Sequence, residues 1–150
     1  MAILANGVLK LTRAGSYAIR AMVGLSRAKG RRIAVRELAR REGLPPLLLS
    51  KILTPLVRAK LVQAKPGEGG GVRLARPAET IHLLDVLEAD PDSLARAHCA
   101  FYPQRPCDGP KCRVSCLFRR EETRLKRAFA EVTIAELAVR LVVHPAARPA

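Results

Sequence analysis

Residues 45–76 read PPLLLSKILTPLVRAKLVQAKPGEGGGVRLAR, and the architecture follows from this stretch. Pro45-Pro46 opens a helix at a point where the missing proline N–H has no intrahelical partner to lose. Leu48, Leu49, Ile52, Leu53, Leu56 and Val57 recur at three- and four-residue spacing, so a helix over 45–57 carries them as its buried stripe. Pro55 removes one backbone hydrogen bond inside that helix, and a kink or an early end is expected there. Leu61-Val62-Gln63-Ala64 follows, then Gly67-Glu68-Gly69-Gly70-Gly71, then Val72-Arg73-Leu74-Ala75-Arg76. Two short strands around a flexible turn read as a β-hairpin.

Upstream, Ala14, Ala18, Ala21, Met22, Leu25 and Ala28 give a helix over 12–28 that Gly30 stops. A second helix over 35–42 buries Leu38 and Ala39 and ends at Gly43. Downstream, residues 80–88 form a fourth, short helix. Three helices followed by a hairpin is the winged helix-turn-helix order. Residues 91–116 differ in kind, because Pro91, Pro103, Pro106, Gly109 and Pro110 forbid long regular structure. A long helix resumes over 113–131, with Leu117, Leu125, Ala128, Phe129 and Val132 as its apolar side. Thr133-x-x-Glu136 is a capping box that starts a last short helix toward Leu141. The fold class is therefore mainly α with a small β-hairpin. It divides into a winged helix-turn-helix over 11–90, a cysteine-rich loop over 91–116, and helices over 113–141.

Composition narrows the function. The chain has 150 residues, 49% of them hydrophobic and 27% charged, which is globular and too short for a catalytic barrel. No apolar run approaches the length of a membrane-spanning helix. The apolar start MAILANGVLKLTR lacks a preceding basic region and a following cleavage pattern, so a cytoplasmic protein is expected. Net charge is +14, and residues 1–80 hold 16 basic against 4 acidic side chains, a local net of +12. A cationic head on a nearly neutral remainder points to a polyanion. Aromatic residues are 3% and Trp is absent, so stacking on single strands has little support and duplex DNA fits better.

In a helix-turn-helix the second helix enters the major groove, and its N-terminal exposed side chains meet base edges. Ser50 and Lys51 occupy those positions, with Thr54 further along. Alone they would read as the solvated face of a core helix. The basic head and the hairpin reverse that reading. Lys65, Arg73 and Arg76 surround the glycine-rich tip with positive charge, and Arg13 adds a further cation for phosphate. The tip is no nucleotide cradle, because no helix and no Lys-Ser/Thr follow its glycines. It also reads as a plain flexible turn.

Cys99, Cys107, Cys112 and Cys116 give C-x7-C-x4-C-x3-C. In a cytoplasmic chain four clustered thiols point to a metal or cluster rather than to disulfides. The spacing lacks the paired C-x2-C knuckles of structural zinc. It favours an iron–sulfur cluster over zinc, with thiol-only redox chemistry the remaining alternative. His98 is a reserve ligand. Asp85, Glu88, Asp90 and Asp92 lack a partner base and read as a solvated face, and His82 and His144 form no triad, so no enzyme is expected.

Leu11-Thr12 with Tyr17-Ala18-Ile19-Arg20-Ala21-Met22, the run from Leu53 to Val62, and Gly69-Gly70-Gly71-Val72-Arg73-Leu74 with Ile81 and Leu84-Asp85-Val86 resemble the IscR/NsrR-type winged-helix regulators. The resemblance spans 11–141. It implies homodimeric transcription factors, usually repressors, that pair through the long helix and often carry a 2Fe–2S or 4Fe–4S cluster in the cysteine loop. By this resemblance Cys99, Cys107 and Cys112 match the family trio, and Cys116 is a candidate fourth ligand. Ser16 stands where some relatives offer an acid from the partner. Leu47 and Ser50 stand where relatives often carry polar or acidic base-reading groups, so their operator sequence does not transfer. The expected partners are a double-stranded DNA operator and a second copy of the chain, with no membrane and no small-molecule substrate. A change at the cluster would shift the spacing of the two recognition helices. A zinc-stabilised or thiol-redox DNA-binding regulator is the rival reading.

Overall fold

The computed structural model describes residues 9–96 and 113–140. Their order is β1 (Leu9–Leu11), α1 (Arg13–Arg27), α2 (Val35–Glu42), α3 (Pro46–Arg58), β2 (Val62–Lys65), β3 (Gly71–Leu74), α4 (Leu83–Glu88), β4 (Leu94–Arg96), α5 (Arg113–Glu131) and α6 (Ile134–Arg140). Single 3-10 turns lie at Ala78–Thr80 and Pro91–Ser93.

Helix α1 begins at Thr12, whose hydroxyl accepts the Gly15 N–H at 3.1 Å and donates to the Asp92 carbonyl at 2.6 Å. The first bond satisfies an N–H that has no helical partner. The second fixes the start of α1 against a turn 80 residues away. Beside it β1 pairs antiparallel with β4, Leu9 opposite Arg96 and Leu11 opposite Leu94. Sequence reading placed no strand in either segment.

Helices α1, α2 and α3 enclose the core. Met22 and Leu25 of α1, Leu38 of α2, and Leu49 and Leu56 of α3 are fully buried. Each such side chain contributes roughly 1.5–3 kcal/mol through removal from water. Leu48 and Val57, expected in the α3 stripe, are instead both 37% exposed. They flank the four truly buried positions, Leu49, Ile52, Leu53 and Leu56, because one short helix seals only a narrow arc against its neighbours. Pro55 does not end α3 early: the helix runs on to Arg58, and the Ala59 N–H reaches the Pro55 carbonyl at 2.9 Å. The bond that proline deletes would have ended on the carbonyl of Lys51, an exposed residue where water can serve instead.

The hairpin forms as expected, with Val62 opposite Leu74 and Lys65 opposite Gly71. It is also stitched to the loop before α2, since Ile33 and Val72 exchange backbone bonds of 2.9 and 2.8 Å. Gly71 permits this approach. Its φ is +129°, and a Cβ there would lie 2.5 Å from the Ile33 carbonyl oxygen.

Helix α5 covers 113–131 as the sequence indicates and packs on α4, where Lys126 Nζ meets Glu88 Oε1 at 3.3 Å. Thr133 and Glu136 form the expected capping box, with bonds of 2.8 and 3.2 Å. Sequence reading groups α6 with the long helix. In the structure α6 lies along α1, and Ile134 is fully buried in the core it shares with α1, α3 and α4.

Candidate nucleic-acid interface

Helix α2, the turn 43–45 and α3 form a helix-turn-helix. Gly43 makes the turn with φ +60° and ψ +40°, and the Leu44 N–H closes on the Ala39 carbonyl at 2.8 Å. Buried Leu44 then tucks the turn into the core, and Pro45-Pro46 launches α3.

On α3, Leu47, Ser50, Lys51, Thr54 and Arg58 are all exposed. Their spacing of i, i+3, i+4, i+7 and i+11 puts them on one face, directly opposite the buried stripe. Ser50 and Lys51 were anticipated there. Arg58 was missed, although its seven-residue offset from Lys51 was a readable signal. The Ser50 hydroxyl donates to the Pro46 carbonyl at 3.1 Å, and the Thr54 hydroxyl to the Ser50 carbonyl at 3.1 Å. Both therefore present only acceptor lone pairs outward.

Two grooves flank this face. On one side Ser50, Thr54, Val57 and Arg58 line a groove of about 440 Å³ with Ala64 and Val72 of the hairpin. On the other, Lys51 and Arg58 line a groove of about 810 Å³ whose far lip carries Glu88, Asp90 and Asp92. That acidic lip disfavours a polyanion along the far edge of the groove.

The hairpin supplies exposed Lys65 at the end of β2 and half-buried Arg73 in β3. Arg73 Nε donates to Gln63 Oε1 at 3.0 Å, a cross-strand pair that holds the guanidinium against the sheet. Arg76 pairs with Asp85 Oδ2 at 2.8 Å, so part of its charge is already answered. Lys29, which sequence reading passed over, joins Arg73 and Arg76 around a depression of about 480 Å³ beneath the wing. Arg32 reaches the Gly71 carbonyl at 3.5 Å. Arg13 opens α1 and is exposed.

The acids read as a solvated face are half-buried or exposed, and two of them cap local turns. Asp85 also accepts the His82 N–H at 3.0 Å, which caps α4, and Asp90 Oδ1 accepts the Asp92 N–H at 3.0 Å. Burial pushes the Glu42 carboxyl above its ordinary range, against the opposing pull of Arg27 and Arg20. Glu37 is drawn the other way by the guanidinium groups of Arg41 and Arg40, which bond it at 2.7 and 2.9 Å.

Cys99, Cys107 and Cys112, with His98 and His144, lie outside the described residues. Cys116 is described and sits exposed in the first turn of α5. Among the described residues no three His, Cys, Asp or Glu side chains group as a metal site. No helix among them is long and apolar enough to cross a membrane.

A helix-turn-helix with a basic hairpin beside its exposed second helix defines a winged-helix DNA-binding regulator. The Rrf2 family model, described as an iron-dependent transcriptional regulator, matches residues 11–140, and the chain belongs to that family. Protein aau3 of Rhizobium meliloti is 45% identical over 92 residues, covering 61% of this chain and only 59% of its own length. A helix-turn-helix-type transcriptional regulator of Mycobacterium tuberculosis is 32% identical over 131 residues, which is 87% of this chain and 81% of that protein. The regulator IscR of Cereibacter sphaeroides is 34% identical over 93 residues, 60% of each chain. Two solved structures share the fold. IscR of T. potens superimposes with a TM-score of 0.68 at 20% identity over 87% of both chains. Oxidised CymR of Staphylococcus aureus gives 0.66 at 23% identity, over 86% of this chain and 95% of its own. The family model and the Mycobacterium and Cereibacter relatives describe regulators of transcription, not enzymes.

Proposed function

We propose that this Rrf2-family regulator is a cytoplasmic repressor. It reads a roughly palindromic duplex operator as a homodimer, under the control of an iron–sulfur cluster held by Cys99, Cys107, Cys112 and Cys116. The observation that carries the DNA reading is the exposed α3 face of Leu47, Ser50, Lys51, Thr54 and Arg58, set beside the basic hairpin. Arg13, Ser50, Lys51, Lys65, Arg73 and Arg76 make the contacts, the cations largely to phosphate. Leu117 and Leu125 remain exposed on α5, which supports pairing of two copies through that helix.

The donor set fits a cluster. Four thiols fall within residues 99–116, and Cys116 stands exposed at the end of α5 that adjoins this segment. When bound, a cluster supplies a redox-active centre of changeable charge. The chain's own part is mechanical: residues 97–112 link β4, which is paired to the start of the DNA-binding head, to α5. Reordering that link would alter how far apart the two recognition helices stand.

Anaerobic purification followed by visible spectra and duplex mobility shifts tests both halves. Brown protein is expected, with the colour weakened in Cys116→Ser and duplex affinity changed by removal of the cluster. Colourless, zinc-containing or metal-free protein overturns the cluster and leaves the zinc-stabilised or thiol-redox regulator. Equal affinity with and without the cluster overturns the control. Absence of duplex binding at low salt overturns the DNA reading itself.

A further inference from the structure

The geometry points to Leu47 as a specificity-determining residue that reads a thymine by its 5-methyl group, an inference that rests on the DNA reading above. Leu47 is 83% exposed at the second position of α3, where only Pro46 precedes it in the helix. By spacing it lies at the middle of the outward face, with Ser50 and Lys51 one turn on and Thr54 two turns on. Solitary exposed leucines are common and carry no meaning by themselves. This one stands at the leading end of the helix that enters the groove, where side chains meet base edges.

Chemistry selects the target. The neighbouring hydroxyls of Ser50 and Thr54 donate inward to Pro46 and Ser50 carbonyls, so neither offers a donor outward. Lys51 is a flexible point charge suited to phosphate or guanine. Leu47 therefore supplies the leading shape on this face, and the one apolar group on the edges of bases in the major groove is the thymine methyl. A protein partner would have to cover Leu47 while desolvating Lys51 one turn along the same face. Duplex DNA answers that cation with phosphate and presents a methyl beside it.

The test uses a random-sequence duplex library selected on the full chain at low salt, followed by single replacement of each thymine in the recovered sequence by deoxyuridine. One thymine per half-site should lose affinity about fourfold on replacement, the worth of one buried methyl. In Leu47→Ala the same replacement should change nothing, and Leu47→Met should restore part of the penalty. Circular dichroism and melting should match the parent, since the side chain is solvated. Uniform tolerance of deoxyuridine overturns the inference while leaving DNA binding intact. So does an undiminished penalty in Leu47→Ala, or an effect of that variant on self-association alone. Failure to recover any bound duplex overturns both the inference and the reading beneath it.

Discussion

Arg76 Nη2 lies 2.8 Å from Asp85 Oδ2, and that same oxygen accepts the His82 N–H at 3.0 Å. One carboxylate thus anchors the strand exit of the wing and caps α4. The pair is half-exposed, so its direct contribution to stability is about 0–1 kcal/mol. Its larger effect is on available charge. Asp85→Asn keeps an oxygen for the cap and removes the countercharge on Arg76. Duplex affinity should rise a few-fold at low salt, and the gain should vanish at high salt. Fluorescence anisotropy across a salt series checks this, and unchanged affinity at every salt would show that Arg76 faces no phosphate.

Lys65 has no such partner among the described residues and ends β2 on the exposed side of the wing. Lys65→Ala should weaken binding evenly across sequences and lower the slope of log affinity against log salt by about 1 per protomer. Arg76→Ala should lower it less. A larger slope change for Arg76→Ala would reverse the ranking drawn from the Asp85 pair.

Gly71→Ala places a methyl where the Ile33 carbonyl already sits and forces an L residue to φ +129°. Destabilisation of about 1–3 kcal/mol is expected from such a strained position. Urea denaturation measures it. Hydrogen exchange at the Val72 and Ile33 amides should accelerate more than at Met22, since the damage begins where the wing is stitched to the head.

Glu42 is buried on α2, its Oε2 has no hydrogen-bond partner among the described residues, and burial pushes its carboxyl above the ordinary value of 4.5. A carboxyl raised by folding adds stability below its unfolded value, and that contribution is lost as pH climbs through the folded value. Glu42→Gln removes the burdened charge. The variant should melt above the parent at pH 7, and the gap should narrow as pH falls through the raised folded value and be closed below the ordinary value of 4.5. Equal melting curves at pH 7 would mean that Arg20 and Arg27 fully compensate the burial.

The parts of the fold legible in sequence are those with a local signature. Three- and four-residue spacing marked α1 and α3, Gly43 and the proline pair marked the turn between α2 and α3, and the glycine run marked the hairpin. Strands β1 and β4 have three residues each and pair across more than 80 positions, so neither carries enough alternation to be seen alone. Leu48 and Val57 look like core by periodicity, because spacing cannot tell the middle of a stripe from its margin. The cations proposed for DNA contact were read from charge alone. The roles of Gln63 and Asp85, which orient Arg73 and Arg76, depend on the hairpin register and on the path from the wing into α4, which charge and spacing do not give.

Ile134 sends its side chain into the packing around α1 while its N–H reaches the Ile81 carbonyl at 2.9 Å, and the Leu83 N–H binds the Val132 carbonyl at 2.8 Å. The last helix is thus a keystone for the first. A fragment cut after residue 96 would expose a void the size of an isoleucine, which costs about 2–5 kcal/mol in comparable truncations, and would orphan two backbone bonds. The gripping part of this molecule consequently has no clean seam along which it could be separated. The chain passes through the whole of α5 before it supplies Ile134, the residue that completes the core of its own beginning.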